Sequence, residues 1–452
     1  LAAFGKRKTT RQTAEKSLPW AAEVVYDTAG LGVPRRAGGG SSDMAQLRQS
    51  GPQTDTDGVF DRRTVRLASG RDKRARLGHP WIYSNEIAMD PATKALKPGT
   101  VVDVVAADGR PVATAFFNPK SLIALRVLAP RTGVAVDRGF VAARIDRALR
   151  LREALFDVPH YRLAHAEADG LPGLIIDRFG DVLVVQANTA GAEGLMPMLL
   201  DVLAERFHPR AVVGRNDSPV RELEGLGRDT SVLAGSLDGP IELIENGVRY
   251  LADPTGGQKT GWFFDQRDNR AFMASLARGR SVIDFYTYSG GFALACAKAG
   301  AAQVTAVDRS EGSLALAAQA AELNALSNVT FTRSEVFAEM ERLAESRTRF
   351  GVVIADPPPF VRSRADLATG AKGYRKMARL AAALVEPGGF LLCASCSHNI
   401  EPARFHEEIA RGIHSADRSG RIIRSAGAGP DHPVHPELPE SAYLKALVLQ
   451  LD

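Results

Sequence analysis

Cysteine is scarce, with three in 452 residues. So small and odd a number cannot build a disulfide framework and fits a reducing compartment, so a cytoplasmic protein is expected. Cys393 and Cys396 form a C-x-x-C, but zinc needs further ligands at suitable spacing and only His398 stands nearby. On a strand, residues three apart face opposite sides, which keeps the pair from sharing a metal or closing as a dithiol. No metal site is expected. No run approaches the ~18 apolar residues that span a bilayer. The opening Leu-Ala-Ala-Phe-Gly-Lys-Arg-Lys lacks the continuous apolar core of a secretory signal. Also missing is G-x-G-x-x-G, which argues against a dinucleotide and hence against an NAD dehydrogenase.

What is present is a modest basic excess, a net charge of +5 and a pI near 9.1. Much of it lies in the first eighty residues, where Arg71, Lys73, Arg74 and Arg76 are candidates to neutralise phosphates. A solvated face is the ordinary alternative. At roughly 150 residues per domain the chain should hold two or three. Residues 1–58, rich in Gly, Ser, Thr and charge, read as a disordered extension. Short strands with turns over 59–133, among them Val101–Val105 and Val112–Phe117 around Asp108-Gly109, predict a small β-barrel or sandwich. Over 134–240 a helix at Phe140–Leu155, a hairpin turning at Phe179-Gly180-Asp181, a second helix near Ala192–Arg206 and a strand at Ala211–Val213 predict an α+β module.

From 241 to 452 the pattern becomes a hairpin at Asn246-Gly247, then strands alternating with helices. Ser281–Phe285, Gln303–Asp308, Val329–Phe331, Val352–Asp356 and Gly389–Cys393 are nearly continuous apolar runs, as expected of parallel strands buried on both faces. The fold class is therefore α/β, a doubly wound sheet whose ligands sit outside the carboxyl ends of its strands. Those ends carry the candidates. Asp284 leads into Tyr286-Thr287-Tyr288-Ser289-Gly290-Gly291, a turn that lets backbone approach a ligand lacking phosphates, or simply a packed turn. Asp308 can accept two ribose hydroxyls or cap the next helix. Glu335 can receive an adenine amino group or be solvated. Asp356 stands before three prolines, which fix an extended backbone and can aim a carboxylate at a planar base. Cys396 follows the fifth strand, either as a buried filler or as a nucleophile at the lip of the cleft.

Seven separated stretches resemble one family in order: "GHPWIYSNEI" at 78–87, "EADGLPGLIIDRFGDVLVVQ" at 167–186, "GQKTGWFFDQRDNR" at 257–270, "DFYTYSGGFALACAKAGA" at 284–301, "DPPPF" at 356–360, "EPGGFLLCASCSHNI" at 386–400 and "YLKAL" at 443–447. The chain from Thr64 onward is similar to bacterial ribosomal-RNA cytosine-5 methyltransferases that carry an N-terminal PUA domain. The resemblance implies a PUA barrel that binds RNA, a central substrate-binding module and a Rossmann-like class I domain that binds S-adenosylmethionine (SAM). It places Asp284, Tyr288 and Gly290 in the SAM loop, Asp308 at the ribose, Glu335 at the adenine, and Gln258, Lys259 and Thr260 beside the methionine end. Asp356 is shared between cofactor and base. Family members often have alanine or lysine where Pro359 stands.

The implied reaction is methylation at cytosine C5, a poor nucleophile. It is activated when a thiolate adds to C6, the part given to Cys396, while Asp356 holds the N3/N4 edge. His398 is a secondary candidate. The implied partner is 23S-type ribosomal RNA, with no membrane partner and with a homodimer left open. Two rivals stay in view: methyl transfer to another position of a ribosomal-RNA base, and a non-catalytic RNA-binding protein of ribosome assembly.

Overall fold

Seven strands near the C-terminus form the sheet that positions the site. The computed structural model describes residues 62–257 and 260–452. The expected extension over 1–58 and the candidates Gln258 and Lys259 lie outside the described residues. Numbered within this sheet alone, the strands are β1 (Ser281–Phe285), β2 (Gln303–Asp308), β3 (Val329–Arg333), β4 (Phe350–Ala355), β5 (Val385–Ser395), β6 (Gly420–Ala426) and β7 (Lys445–Leu451). Their order is β3-β2-β1-β4-β5-β7-β6, with β1 to β5 parallel and β7 antiparallel to both neighbours. The helices are α1 (Gly291–Lys298), α2 (Glu311–Leu323), α3 (Val336–Glu345), α4 (Leu367–Ala383) and α5 (Pro402–His414).

Both faces of this sheet are covered, as the apolar runs require. Ile283, Phe285, Val353 and Leu391 pack on one side with Met377 and Phe405 of α4 and α5. Val282, Ile354 and Leu392 pack on the other with Phe292 of α1. Strand alternation also separates the two cysteines of the C-x-x-C. Cys393 is fully buried in the first cluster, where burial pushes its thiol up to about 12. Cys396 lies one residue past the end of β5 and is half-buried. The strand order reverses at β1, flanked by β2 and β4, which opens a crevice at their carboxyl ends.

Two smaller sheets precede this domain. The first has five strands, Thr64–Arg66, Trp81–Ile82, Thr100–Val105, Pro111–Phe117 and Leu125–Ala129, around a core that includes Val65, Val102, Val104 and Phe117. The second has Asp229–Gly235, Ala211–Asn216, Val182–Ala187, Leu174–Phe179 and His160–His165 in that spatial order. The helices Arg138–Leu155 and Ala190–Phe207 share an apolar cluster with it. The hairpin Ile241–Glu245 and Val248–Ala252 joins the two regions: Leu243 and Tyr250 pack with Val184 and Val213 of the second sheet and with Leu294 of α1. Among the described residues no helix is long and apolar enough to cross a membrane, and no group of three or more His, Cys, Asp or Glu could hold a metal ion.

Candidate active site

The turn after β1 is held in a conformation most residues avoid. Tyr286 and Tyr288 have φ of 62° and 54°, and Gly290 has φ of 85°. Positive φ at two tyrosines is costly and persists only where surrounding contacts impose it. Here they do. The Tyr288 amide donates to Asp308 Oδ2 at 3.0 Å, and its hydroxyl donates to the Gly261 carbonyl at 3.3 Å. Gly290 lies behind the turn, where a Cβ would come within 3.0 Å of Ala317. Its part is to start α1 rather than to line the cleft.

Asp284 is almost wholly buried beneath this turn. Its Oδ2 accepts from Thr287 Oγ1 at 2.6 Å and from the Ala293 amide at 3.0 Å, while its Oδ1 has no hydrogen-bond partner among the described residues. Burial pushes its carboxyl up to about 7, with Asp356 and Asp308 adding repulsion. A buried carboxylate with one open oxygen suits a ligand that brings positive charge.

Asp308 ends β2 on the same crevice. Its Oδ1 accepts the Ser310 amide at 2.9 Å, and Ser310, not Asp308, caps α2 through the Ser313 amide. Each carboxylate oxygen of Asp308 thus keeps a free lone pair for hydroxyl donors. Glu335 is exposed at the start of α3 and makes no side-chain cap there. It leaves its carboxylate on the wall of the crevice, beside Phe337. Phe337 stacks on Phe360 at 5.9 Å between ring centres, and Phe360 meets Tyr374 at 4.8 Å.

These strand ends enclose a cavity of about 520 Å³ whose walls include Tyr288, Asp308, Glu335, Asp356 and Cys396. Five sequence candidates therefore converge, and Asp284 lies just beneath. Thr260 does not join them: its hydroxyl donates to Asp177 Oδ2 at 2.5 Å, toward the second sheet, where Asp177 also takes both forks of Arg162. The cavity's size, its aromatic wall, the open oxygen of Asp284 and the acceptors at Asp308 and Glu335 fit an adenosyl group bearing a cationic amino-acid arm. SAM has that chemistry.

Cys396 sits on a tightly held loop. Ser395 Oγ donates to Tyr374 Oη at 2.7 Å, Ser397 Oγ donates to the Val361 carbonyl, and Lys445 Nζ donates to the carbonyls of Ser397 at 2.6 Å and Ile400 at 3.0 Å. Burial lowers the pKa of Lys445, and Cys396 and Glu401 act in the opposite direction. A cation at that loop favours a thiolate over a thiol.

A second cavity of about 750 Å³ opens on the other side of Cys396. Its walls come from three parts of the chain, with Trp81 from the first sheet, Arg162 and Gln186 from the second, and His398, His432 and Tyr443 from loops of the C-terminal region. The side chains missed by sequence reasoning lie around the two cavities: Trp262 and Asp265 on the walls of both, Gln266 on the first and Tyr443 on the second. Gln266 Nε2 donates to Asp356 Oδ2 at 2.9 Å, and Tyr443 Oη donates to Asp265 Oδ2 at 2.6 Å. They fall inside the quoted stretches at 257–270 and 443–447, yet no spacing rule singles them out. His398 contacts Tyr443, with 5.1 Å between the rings.

The four basic candidates of the first domain line neither cavity. Arg71, Lys73 and Arg76 are exposed, and Arg76 pairs with Asp72 at 2.6 Å. Arg74 is half-buried, pairs with Glu86, and bonds His79 beside Trp81.

Comparison with known proteins agrees with this geometry. Residues 229–450 match the model of S-adenosylmethionine-dependent methyltransferases, and residues 65–130 match the PUA-like domain. A SAM-dependent methyltransferase from Streptococcus mutans has a TM-score of 0.72 at 20% identity, covering 86% of this chain and 100% of that one. A methyltransferase solved with S-adenosylhomocysteine (SAH) has a TM-score of 0.74 at 19% identity with the same coverage, and at that identity the likeness speaks for the fold. Ribosomal RNA large subunit methyltransferase I of Shewanella amazonensis is 38% identical over 393 residues, 86% of this chain and 99% of that protein. The enzyme of that name from Aeromonas salmonicida is 36% identical over 85% of this chain and 98% of its own length. None of these likenesses supports a homodimer. An α/β SAM-dependent methyltransferase domain behind a PUA-like domain, with identity of this order across nearly the whole length of such relatives, means that the chain belongs to the ribosomal RNA large subunit methyltransferase I family.

Proposed function

We propose that this enzyme transfers a methyl group from SAM to C5 of a cytosine in large-subunit, 23S-type ribosomal RNA, through a transient bond between Cys396 and C6. The observation that carries the reading is the position of Cys396 at the meeting of two cavities. The one beside Asp308 and Glu335 suits the cofactor. The other, walled by the first two sheets and by loops of the C-terminal region, suits the RNA. A base inserted at the junction has a nucleophile on one side and the methyl donor on the other.

Asp284, Tyr288, Asp308 and Glu335 are assigned to SAM, with Gly290 shaping the turn, and Gln258 and Lys259 to the segment flanking its methionine end, which Thr260 ties to Asp177 of the second sheet. When bound, SAM supplies an electrophilic methyl group. Cys396 adds to C6 and moves electron density to C5, overcoming the poor nucleophilicity of cytosine. Asp356, oriented by Gln266, holds the N3/N4 edge and stabilises the electron shift. The domains divide as 59–133 for RNA binding, 134–240 for substrate placement and 241–452 for catalysis. Arg71, Lys73, Arg74 and Arg76 add phosphate contacts. The target must leave its stack to reach the cleft.

The test is methylation of ribosomal RNA from a strain lacking the gene, with the product nucleoside identified by mass spectrometry. The expected product is 5-methylcytidine, and Cys396→Ala abolishes it while SAM binding persists. Retained turnover by Cys396→Ala, or a methyl group on another atom, would sink the covalent reading.

A further inference from the structure

Methylation at C5 leaves a carbon bearing both a methyl group and a hydrogen, still bonded through C6 to the cysteine. Something must take that hydrogen as a proton before the enzyme can let go. We infer that Asp265 is this base. The inference rests on the C5 reading above and deepens it.

The position is set by the two cavities. Among the described residues, those on the walls of both are Trp262, Phe263, Asp265, Pro359 and Cys396. An indole, a phenyl ring and a pyrrolidine cannot accept a proton at neutral pH. Cys396 is occupied by its bond to C6 at that stage. Asp265 remains, a buried carboxylate at the same junction. Asp356 lines the cofactor cavity alone and is engaged by Gln266. His432 lines the second cavity alone, with its Nδ1 bonded to Asp431 Oδ1 at 2.8 Å.

The surroundings hold Asp265 ready to accept. The Tyr443 hydroxyl donates to its Oδ2, and burial together with the Asp265 charge pushes the phenol well above its ordinary range. Tyr443 therefore stays a donor and orients the carboxylate, a positioning role. The step balances. The C5–H proton goes to the Asp265 carboxylate, the C–H electron pair re-forms the C5–C6 double bond, and the C6–Sγ bond breaks to return the Cys396 thiolate. Asp265 then gives the proton to water.

The experiment uses the full chain, ribosomal RNA from a strain lacking the gene, and SAM labelled in its methyl group. RNA containing 5-fluorocytidine serves as a reference, because fluorine at C5 leaves no proton to remove and must trap the wild-type enzyme as a denaturant-resistant adduct. Asp265→Asn is expected to form the same labelled adduct with ordinary RNA. Its turnover should fall by about 10² to 10⁴-fold, the range for loss of a general base. Cys396→Ala combined with Asp265→Asn should give no adduct. An Asp265→Asn enzyme that binds SAM but turns over within about threefold of wild type, or that forms no labelled adduct, overturns the assignment. If Asp265→Asn loses SAM binding, Tyr443→Phe decides: whatever the rate at which adduct forms, it should persist about tenfold longer than in wild type, and an unchanged lifetime counts against Asp265. A wild-type enzyme that neither traps on 5-fluorocytidine RNA nor yields 5-methylcytidine fails at the earlier step, and the C5 reading falls with it.

Discussion

The two cavities that meet at Cys396 are built in opposite ways. The smaller one takes its polar groups from the ends of neighbouring parallel strands, so the doubly wound topology alone gathers Asp308, Glu335, Asp356 and Cys396. The larger one has no such rule behind it. It exists because Trp81 of the first sheet, Arg162 of the second and Tyr443 of the loop before β7, more than three hundred residues apart at the extremes, happen to face one space. A cofactor site can thus be inherited with a fold, whereas a substrate site of this kind depends on how domains are assembled.

If that division is functional, substitutions should separate cofactor binding from chemistry and from RNA binding. The largest effect belongs to Cys396→Ala, which should lower methyl transfer by on the order of ten-thousandfold or more, as loss of a covalent nucleophile does. SAM affinity measured by calorimetry should stay within about threefold, since Cys396 is one edge of a large wall. A parallel loss of SAM binding would erase the distinction between the cavities. Next comes Asp308→Asn. Hydrogen bonds to a charged group are worth roughly 1.5–3 kcal/mol, so SAM affinity should fall about 10 to 150-fold. RNA affinity in a filter-binding assay should not move.

The same contrast explains what could be read in advance. Strand ends are legible because buried parallel strands announce themselves as apolar runs, and the residue after each run is then a site candidate. That reasoning reached Asp308, Asp356 and Cys396 and separated Cys396 from Cys393. It missed the strands Trp81–Ile82 and Asp229–Gly235, the first too short to show a period and the second exposed along nearly its whole length, hence without alternation. It also missed Asp265 and Tyr443, whose pairing joins positions 178 residues apart. Thr260 illustrates the converse. Its place within a matching stretch suggested the cofactor, but its hydroxyl is bonded to Asp177.

A smaller effect sharpens the cofactor side. The Asp284 carboxyl is pushed up to about 7, so at pH 6 the free protein holds it mostly protonated. A cationic ligand favours the ionised form. SAM affinity should therefore rise by about fivefold between pH 6 and 7 and by about twofold more before flattening near pH 8, with a proton released on binding below that range. Calorimetry in buffers of different ionisation enthalpy reads that proton directly, and Asp284→Asn should remove it. The same raised pKa works against the fold. Stability of the cofactor-free protein is full below the unfolded carboxyl's range near pH 4 and declines as pH rises through about 7.

The smallest effect tests how far the RNA side extends beyond its cavity. Arg71 and Lys73 are exposed and line neither cavity, so removing both leaves the wall of the site intact. If they meet phosphates, Arg71→Ala with Lys73→Ala should weaken RNA binding severalfold at low salt. The slope of log affinity against log salt should flatten by about 0.7 for each single-strand phosphate that the variant no longer neutralises. SAM affinity should be unchanged. A slope identical to wild type would return these two residues to the solvated face of the barrel. Recognition would then rest on the second cavity, where Trp81 is the barrel's own contribution to the wall among the described residues.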